Sequence, residues 1–306
     1  MSTHSAASPE RPGADRPVIA AGRRHSVAVC RDGSVAAAGT GSPAECRVGD
    51  WRRIVAVAAG NVHAARNTGR SHTVGLRCDG TVLATGWNGD GQCEVGAWER
   101  VVALAAGWRR TLGVLDDGRV LAAGRPDEGA CEVGSWREIV AVTCGDWHSA
   151  GLRADGTAVA TGNNRRGQCD VGHWRDLRMV AAGYLHSAGL TVEGRVLVTG
   201  NPASAIAQMG TWQDVVAIAA GSHHTVALTA RGRVLAAGDN SRGQCDVQAW
   251  RDVVAVAAGA AHTLGLRRDG GVLATGDNDH GQCDVAGWAA GPAGGDMSIR
   301  YRAMSD

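Results

Sequence analysis

The stretch W-R-D-V-V-A-V-A-A-G-A-A-H-T-L-G-L-R-R-D-G-G-V-L-A-T-G-D-N-D-H-G-Q-C-D-V, from Trp250 to Val285, decides the fold. It holds three short apolar runs, rich in Val and Leu with small residues between them, each bounded by Gly or by Asp-Gly. Runs of that length between turn residues read as strands and are too short for helices. The Asp-Gly pair suits a tight hairpin turn because both residues tolerate positive φ. It recurs at Asp32-Gly33, Asp79-Gly80, Asp117-Gly118 and Asp155-Gly156. Each unit is therefore a small antiparallel sheet.

Outward from this stretch the same unit fills the chain. Tryptophan returns at Trp51, Trp98, Trp136, Trp174, Trp212, Trp250 and Trp288; the last five intervals are 38 residues and the first is 47, so one unit carries an insertion of 47 − 38 = 9 residues. The glycine ending each small apolar segment keeps the same beat, at Gly22, Gly60, Gly107, Gly145, Gly183, Gly221 and Gly259. A single sheet of this kind cannot bury both faces, so the units stack radially. The prediction is an all-β fold, a seven-bladed β-propeller of short antiparallel sheets. Inner positions of Ala, Gly and Val, in a chain without Phe, let sheets approach near the axis, and the recurring Trp supplies bulk where blades diverge.

The expected boundaries are a disordered leader over residues 1–17, the propeller over 18–292, and a tail over 293–306 in which Met297–Arg302 has the alternation of a ring-closing strand. The leader has no apolar run, so it reads as neither secretory signal nor membrane anchor. Nine cysteines, an odd number recurring mostly at one repeat position, argue against a disulfide framework and for a reducing cytoplasm. The 31 basic residues against 30 acidic ones remove any bulk electrostatic pull toward nucleic acid or anionic lipid. Basic side chains that are Arg throughout, with abundant Ala and Gly, fit a bacterial source of high GC content.

Gly86-Trp87-Asn88-Gly89-Asp90-Gly91-Gln92-Cys93, followed by Val101 to Gly107, resembles the G-x-N-x-x-G-Q and V-x-x-(A/V)-A-x-G-x-x-H pattern of the regulator of chromosome condensation repeats. The resemblance recurs in register over residues 18 to 288 and implies a seven-bladed propeller. It leaves function open, because that family includes a guanine-nucleotide exchange factor that binds nucleosomes, a plant UV-B photoreceptor and many bacterial proteins of unknown role. Gly107-Trp108-Arg109-Arg110-Thr111 is similar to the G-W-R-H-T motif of the photoreceptor, where Trp and Arg lie on a homodimer face.

Three places after five of these glycines stands a histidine, His25, His148, His186, His224 and His262, with His72 matching once the insertion is removed. One imidazole per blade spreads them around a ring, whereas a zinc ion needs ligands converging within about 2.0–2.3 Å. They read as framework groups hydrogen-bonded to their own or the next blade, and no metal or cofactor is expected. Cys46, Cys93, Cys131, Cys169, Cys245 and Cys283, each five residues before its Trp, read as buried fillers.

Function is expected where the units differ. The two residues after each glycine are Arg23-Arg24, Asn61-Val62 leading into the insertion, Trp108-Arg109, Asp146-Trp147, Tyr184-Leu185, Ser222-His223 and Ala260-Ala261, and in the third unit Arg110 replaces His. The insertion adds His63, Arg66 and Arg70. All these loops join the first two strands of a blade and open on one face. The candidate surface is thus Arg23, Arg24, His63, Arg66, Arg70, Trp108, Arg109, Arg110, Asp146, Trp147, Tyr184 and His223. Exposed Trp is otherwise depleted, and Arg and Trp are the residues most enriched at interaction hot spots.

Arg109 and Arg110 are expected to point with Arg23 or Arg24 and Arg70 toward one anionic group, since guanidinium recognises carboxylate or phosphate and indoles stack on aromatic or Arg groups. The favoured reading is a binding module for an anionic or aromatic small molecule, peptide or protein, with no nucleic acid or membrane partner. A cofactor-independent enzyme at the funnel mouth, with Asp146, Tyr184 or His223 as acid–base groups, is the second reading. A self-associating homodimer is the third. The chain contains no Walker loop, dinucleotide fingerprint or nucleophile–base motif.

Overall fold

A computed structural model describes residues 18–39, 44–61, 70–200 and 206–291. The expected leader and tail, including Met297–Arg302, lie outside the described residues, as do His63 and Arg66. Within them are seven sheets of three strands, each sheet made of consecutive antiparallel strands. The first strands of successive sheets contact one another, and blade seven contacts blade one, so these strands surround the axis and the circle closes. The fold is a seven-bladed β-propeller. A single helical turn, Ile206–Met209, stands in the fifth connection in place of the usual Gly-Gln-Cys segment. No helix among the described residues is long and apolar enough to cross a membrane.

Closure is made where the two ends of the described chain meet. Ala290 bridges to Cys30, Gly291 N donates to Val29 O at 3.0 Å, and Ala290 N donates to Gly270 O at 2.9 Å. Blade one therefore takes its inner strand, Ile19–Ala21, from one end of the chain and an edge contact from the other.

The Asp-Gly turns sit between the second and third strands, but they are not turns with positive φ at both residues. Only the glycine is left-handed, with φ 79° at Gly33 and 84° at Gly80. Asp instead caps the turn: Asp32, Asp79 and Asp155 each accept from the backbone N–H two residues on. A turn closed by a left-handed glycine bulge has this bonding.

Each framework indole lies against the middle strand of its own blade. A Cβ on Gly75, Gly113, Gly151 or Gly265 would fall 2.6–2.9 Å from the ring of Trp51, Trp98, Trp136 or Trp250 respectively. Glycine is needed there so that the indole can lie on the sheet, and Trp51, Trp98, Trp136, Trp174 and Trp250 are buried. Blades one and six carry Ala28 and Ala227 at this place, and their tryptophans, Trp288 and Trp212, are the two that stay half-buried. The recurring tryptophans, read as bulk between diverging blades, are thus buried in five blades and half-buried in two. The repeating cysteines depart further from the expected burial: Cys245 is buried, while the other five are half-buried, each thiol near a backbone carbonyl.

Candidate functional site

Beneath the loops, six seams between blades are joined by imidazoles. His Nε2 meets the hydroxyl of the next blade in the pairs His25–Thr73, His72–Thr111, His148–Ser187, His186–Thr225, His224–Thr263 and His262–Ser26, at 2.8–2.9 Å. Where its own bond is resolved, that hydroxyl donates its proton to a carbonyl, as Ser187 does to Gln168 O and Thr263 to Gln244 O. It can then only accept from the imidazole, which fixes the neutral Nε2–H tautomer. Burial drives these histidines to pKa values of about 3 to 4.

The seventh seam is made by Arg110, which corrects the expectation that it points to a ligand. It is buried; its Nε donates to Ser149 Oγ at 3.0 Å, and its amino groups donate to the carbonyls of Gly145, Asp146 and His148 at 2.6, 3.0 and 2.5 Å. At three other seams the residue after the glycine donates its N–H to the next glycine's carbonyl: Asp146 to Gly183, Ser222 to Gly259 and Ala260 to Gly22. At this seam the loop is a tight hairpin with Gly107 paired to Arg110, and the guanidinium supplies the bond to Gly145 O instead.

The loops themselves divide by position. The residue directly after the glycine is buried in six blades: Arg23, Asn61, Trp108, Asp146, Ser222 and Ala260. Ser222 Oγ reaches Asn61 Oδ1 at 3.3 Å, spanning blades six and two. Arg23 of blade one senses the charge of Asp146 of blade four: burial and then Arg24 lower its pKa, while Asp146 and Glu45 oppose them. These groups close the loop face over the axis. Asp146 is buried among them rather than standing open at the face.

The next residue along is presented outward: Arg24, Arg109, Trp147 and Leu185 are half-buried and His223 is exposed, as is Arg70 at the end of the insertion. Tyr184, half-buried, meets His223 edge-on with centroids 5.1 Å apart. Arg109 is the most constrained of the set. Its guanidinium lies over Trp87 at 4.8 Å and over Trp108 at 4.6 Å, with Nη1 3.5 Å from Asp90 Oδ2. Trp147 packs edge-on against Trp108 at 4.4 Å, and Arg125 covers Trp108 at 5.4 Å. Arg109 also holds φ 60°, a left-handed backbone costly for a side chain with a Cβ.

Three members of this cluster, Trp87, Asp90 and Arg125, were not among the expected residues. They follow the third strand of a blade, which ends on the same face: Trp87 N donates to Ser71 O and Arg125 N to Arg109 O. The signal was available, because the residue after that strand also varies, as Trp87, Arg125, Asn163, Asp239 and Asp277.

Comparison with known proteins agrees with the repeat and the ring. The regulator of chromosome condensation (RCC1) repeat matches residues 67–92, 101–130, 139–168, 215–244 and 253–282. No curated protein sequence matches the chain. Among solved structures, yeast RCC1 (Prp20) in a complex with Kap60 aligns with TM-score 0.64 at 16% identity over 95% of this chain and 88% of that one. Prp20p from Saccharomyces cerevisiae, described with its binding to Gsp1p and histones, aligns with TM-score 0.61 at 16% identity over 83% of each chain. Human WBSCR16 aligns with TM-score 0.63 at 19% identity over 82% of this chain and 86% of that one. At such identities these likenesses speak for the fold alone, a seven-bladed propeller, in which five stretches of this chain match the regulator of chromosome condensation repeat.

Proposed function

We propose that the loop face is a protein-docking surface, and that its sector on blades two to four receives an acidic segment bearing an aromatic side chain. The observation that carries this reading is Arg109 clamped between Trp87 and Trp108. Contact with two indole rings restrains the guanidinium before any partner arrives, so less side-chain entropy remains to be lost on binding. Its internal counter-charge, Asp90, sits at 3.5 Å with both side chains about a quarter exposed, looser than the 2.7–2.9 Å of a direct charge-assisted bond. A partner carboxylate can do better. Trp147 beside Trp108, with Arg125 over the same ring, extends the cationic and aromatic surface. The solved relatives described with Gsp1p, histones and Kap60 support a protein as the class of partner.

The test is titration of the purified protein with three fluorescent peptides: one rich in Glu with a single Tyr, the same length rich in Lys, and a neutral one. The acidic peptide should bind most tightly, its affinity should fall with salt, and a photo-crosslinker at position 147 should capture it while one at Val192 on the opposite face should not. Equal binding of all three peptides, or capture from position 192, would overturn the reading.

Self-association is the second reading, because the same face carries an acidic sector on the far side, with Asp277 and Asp279 around Arg242. Sedimentation at low and high salt separates the two, since a dimer held this way dissociates as salt rises.

A further inference from the structure

At the opposite end of the inner strands one residue breaks a ring of valines. The second residue of the inner strand is Val55, Val102, Val140, Val216 and Val254 in five blades, and Arg178 in blade five. All six are half-buried around the end of the axis away from the loops. In the valine blades this side chain packs against the core of the next seam, as Val140 does beside Leu177 and Val216 beside Val253. The Arg178 guanidinium instead crosses to blade six, where Nη2 donates to Val216 O at 2.6 Å and Val215 O at 3.4 Å.

Among the described residues this charge has no counter-charge. Burial alone lowers its pKa, with no carboxylate among the influences on it, and its Nε is buried without a hydrogen-bond partner. Arg110, the other inward guanidinium without a carboxylate, differs because five donor contacts satisfy it. Removing a charge from water is unfavourable unless it is paired, and among the described residues only the two carbonyl contacts of Nη2 offset that cost for Arg178.

We propose that Arg178 anchors a carboxylate site at this end of the propeller axis, for a small monocarboxylate whose apolar body lies on the neighbouring valines. One positive charge set among apolar side chains matches a single negative charge joined to hydrocarbon, and it is too little for a phosphate dianion. The site is on the order of 20 Å from the loop face, five residues back along a strand, and is independent of the docking surface there.

The experiment uses the whole chain and its Arg178→Val variant, which restores the residue of the other blades. Each is titrated with acetate, butyrate, hexanoate, hexanamide and orthophosphate, following the melting temperature and the Arg side-chain Nε–H signals in nitrogen-15 spectra. The expected result is saturable stabilisation of the wild type by carboxylates, stronger with chain length, with one shifted Nε–H signal. Hexanoate should bind Arg178→Val roughly tenfold more weakly or worse, and the unliganded variant should melt above the unliganded wild type. Hexanamide matching hexanoate, orthophosphate exceeding it, an equal response in the variant, or no saturable response to any carboxylate would each overturn the proposal.

Discussion

The Nε of Arg110 donates to Ser149 Oγ, the same contact that an imidazole Nε2 makes to a hydroxyl at each of the other six seams. Arg110→His restores the repeat and that one bond, yet it strips the donors from the carbonyls of Gly145, Asp146 and His148. Buried acceptors left unsatisfied cost about 1–3 kcal/mol. The variant should therefore melt a few degrees lower, in contrast to a surface arginine, whose replacement leaves the melting temperature alone. Calorimetry of the two proteins decides the matter, and an unchanged melting temperature would count against the seam role.

Acid should unfold the propeller through its imidazoles. Each of the six is neutral when folded, with its pKa depressed from 6.5 to about 3 or 4 by burial. The unfolded chain binds more protons between those values, so stability is complete above about pH 6.5 and falls as pH drops toward 4. Each imidazole contributes a slope of up to about 1.4 kcal/mol per pH unit in that window. Urea denaturation from pH 8 to 5 should show several protons taken up on unfolding, and His186→Gln should reduce that number by one. A flat profile between pH 7 and 5 would refute it.

The pairing of indole and glycine can be written in both directions. Gly151→Ala places a Cβ 2.9 Å from the Trp136 ring, an overpacking worth about 1–3 kcal/mol that should lift the indole toward solvent. Ala227→Gly should let Trp212 settle inward. Indole N–H signals, read for solvent exchange in both variants, should move in opposite senses. If Trp212 keeps its exchange rate in Ala227→Gly, the alanine is not what holds it out.

Arg109→Gly separates stability from recognition. Glycine adopts φ 60° without the cost of roughly 1–2 kcal/mol borne by other residues, which offsets the loss of two cation–π contacts worth about 0.5–1 kcal/mol each at exposed sites. The variant should melt within a few degrees of the wild type while its affinity for the acidic peptide falls roughly tenfold or more. Retained affinity would move the docking site away from the Trp87–Arg109–Trp108 stack.

How much of this was legible in the sequence depends on which forces act. The blade number followed from Trp and Gly periodicity, because a sheet that must lay an indole on a glycine repeats both. The role of Arg110 was not legible: a substitution at a framework position reads as a functional departure until the carbonyls around it are seen. Asp146 and Arg23 misled for a related reason, since polar residues in a loop imply exposure and give no sign of a partner across the axis. Trp87 and Arg125 lie in the connection after the third strand, which ends on the same face as the first and varies as freely.

In blades one, three, four, six and seven the first loop residue is buried and the next is presented, which leaves a narrow path for change. Neighbours in sequence have opposite fates, so adding or deleting one residue in a loop would exchange them, opening the axis and hiding the outward side chain. Substitution escapes that penalty. The insertion of blade two follows Asn61, which keeps its place over the axis opposite Ser222. Each blade thus behaves as one slot in a short alphabetic code around the rim, free to change its letter but not its spacing, and a library randomised at positions 24, 109, 147, 185, 223 and 261 would sample new faces on an unaltered ring.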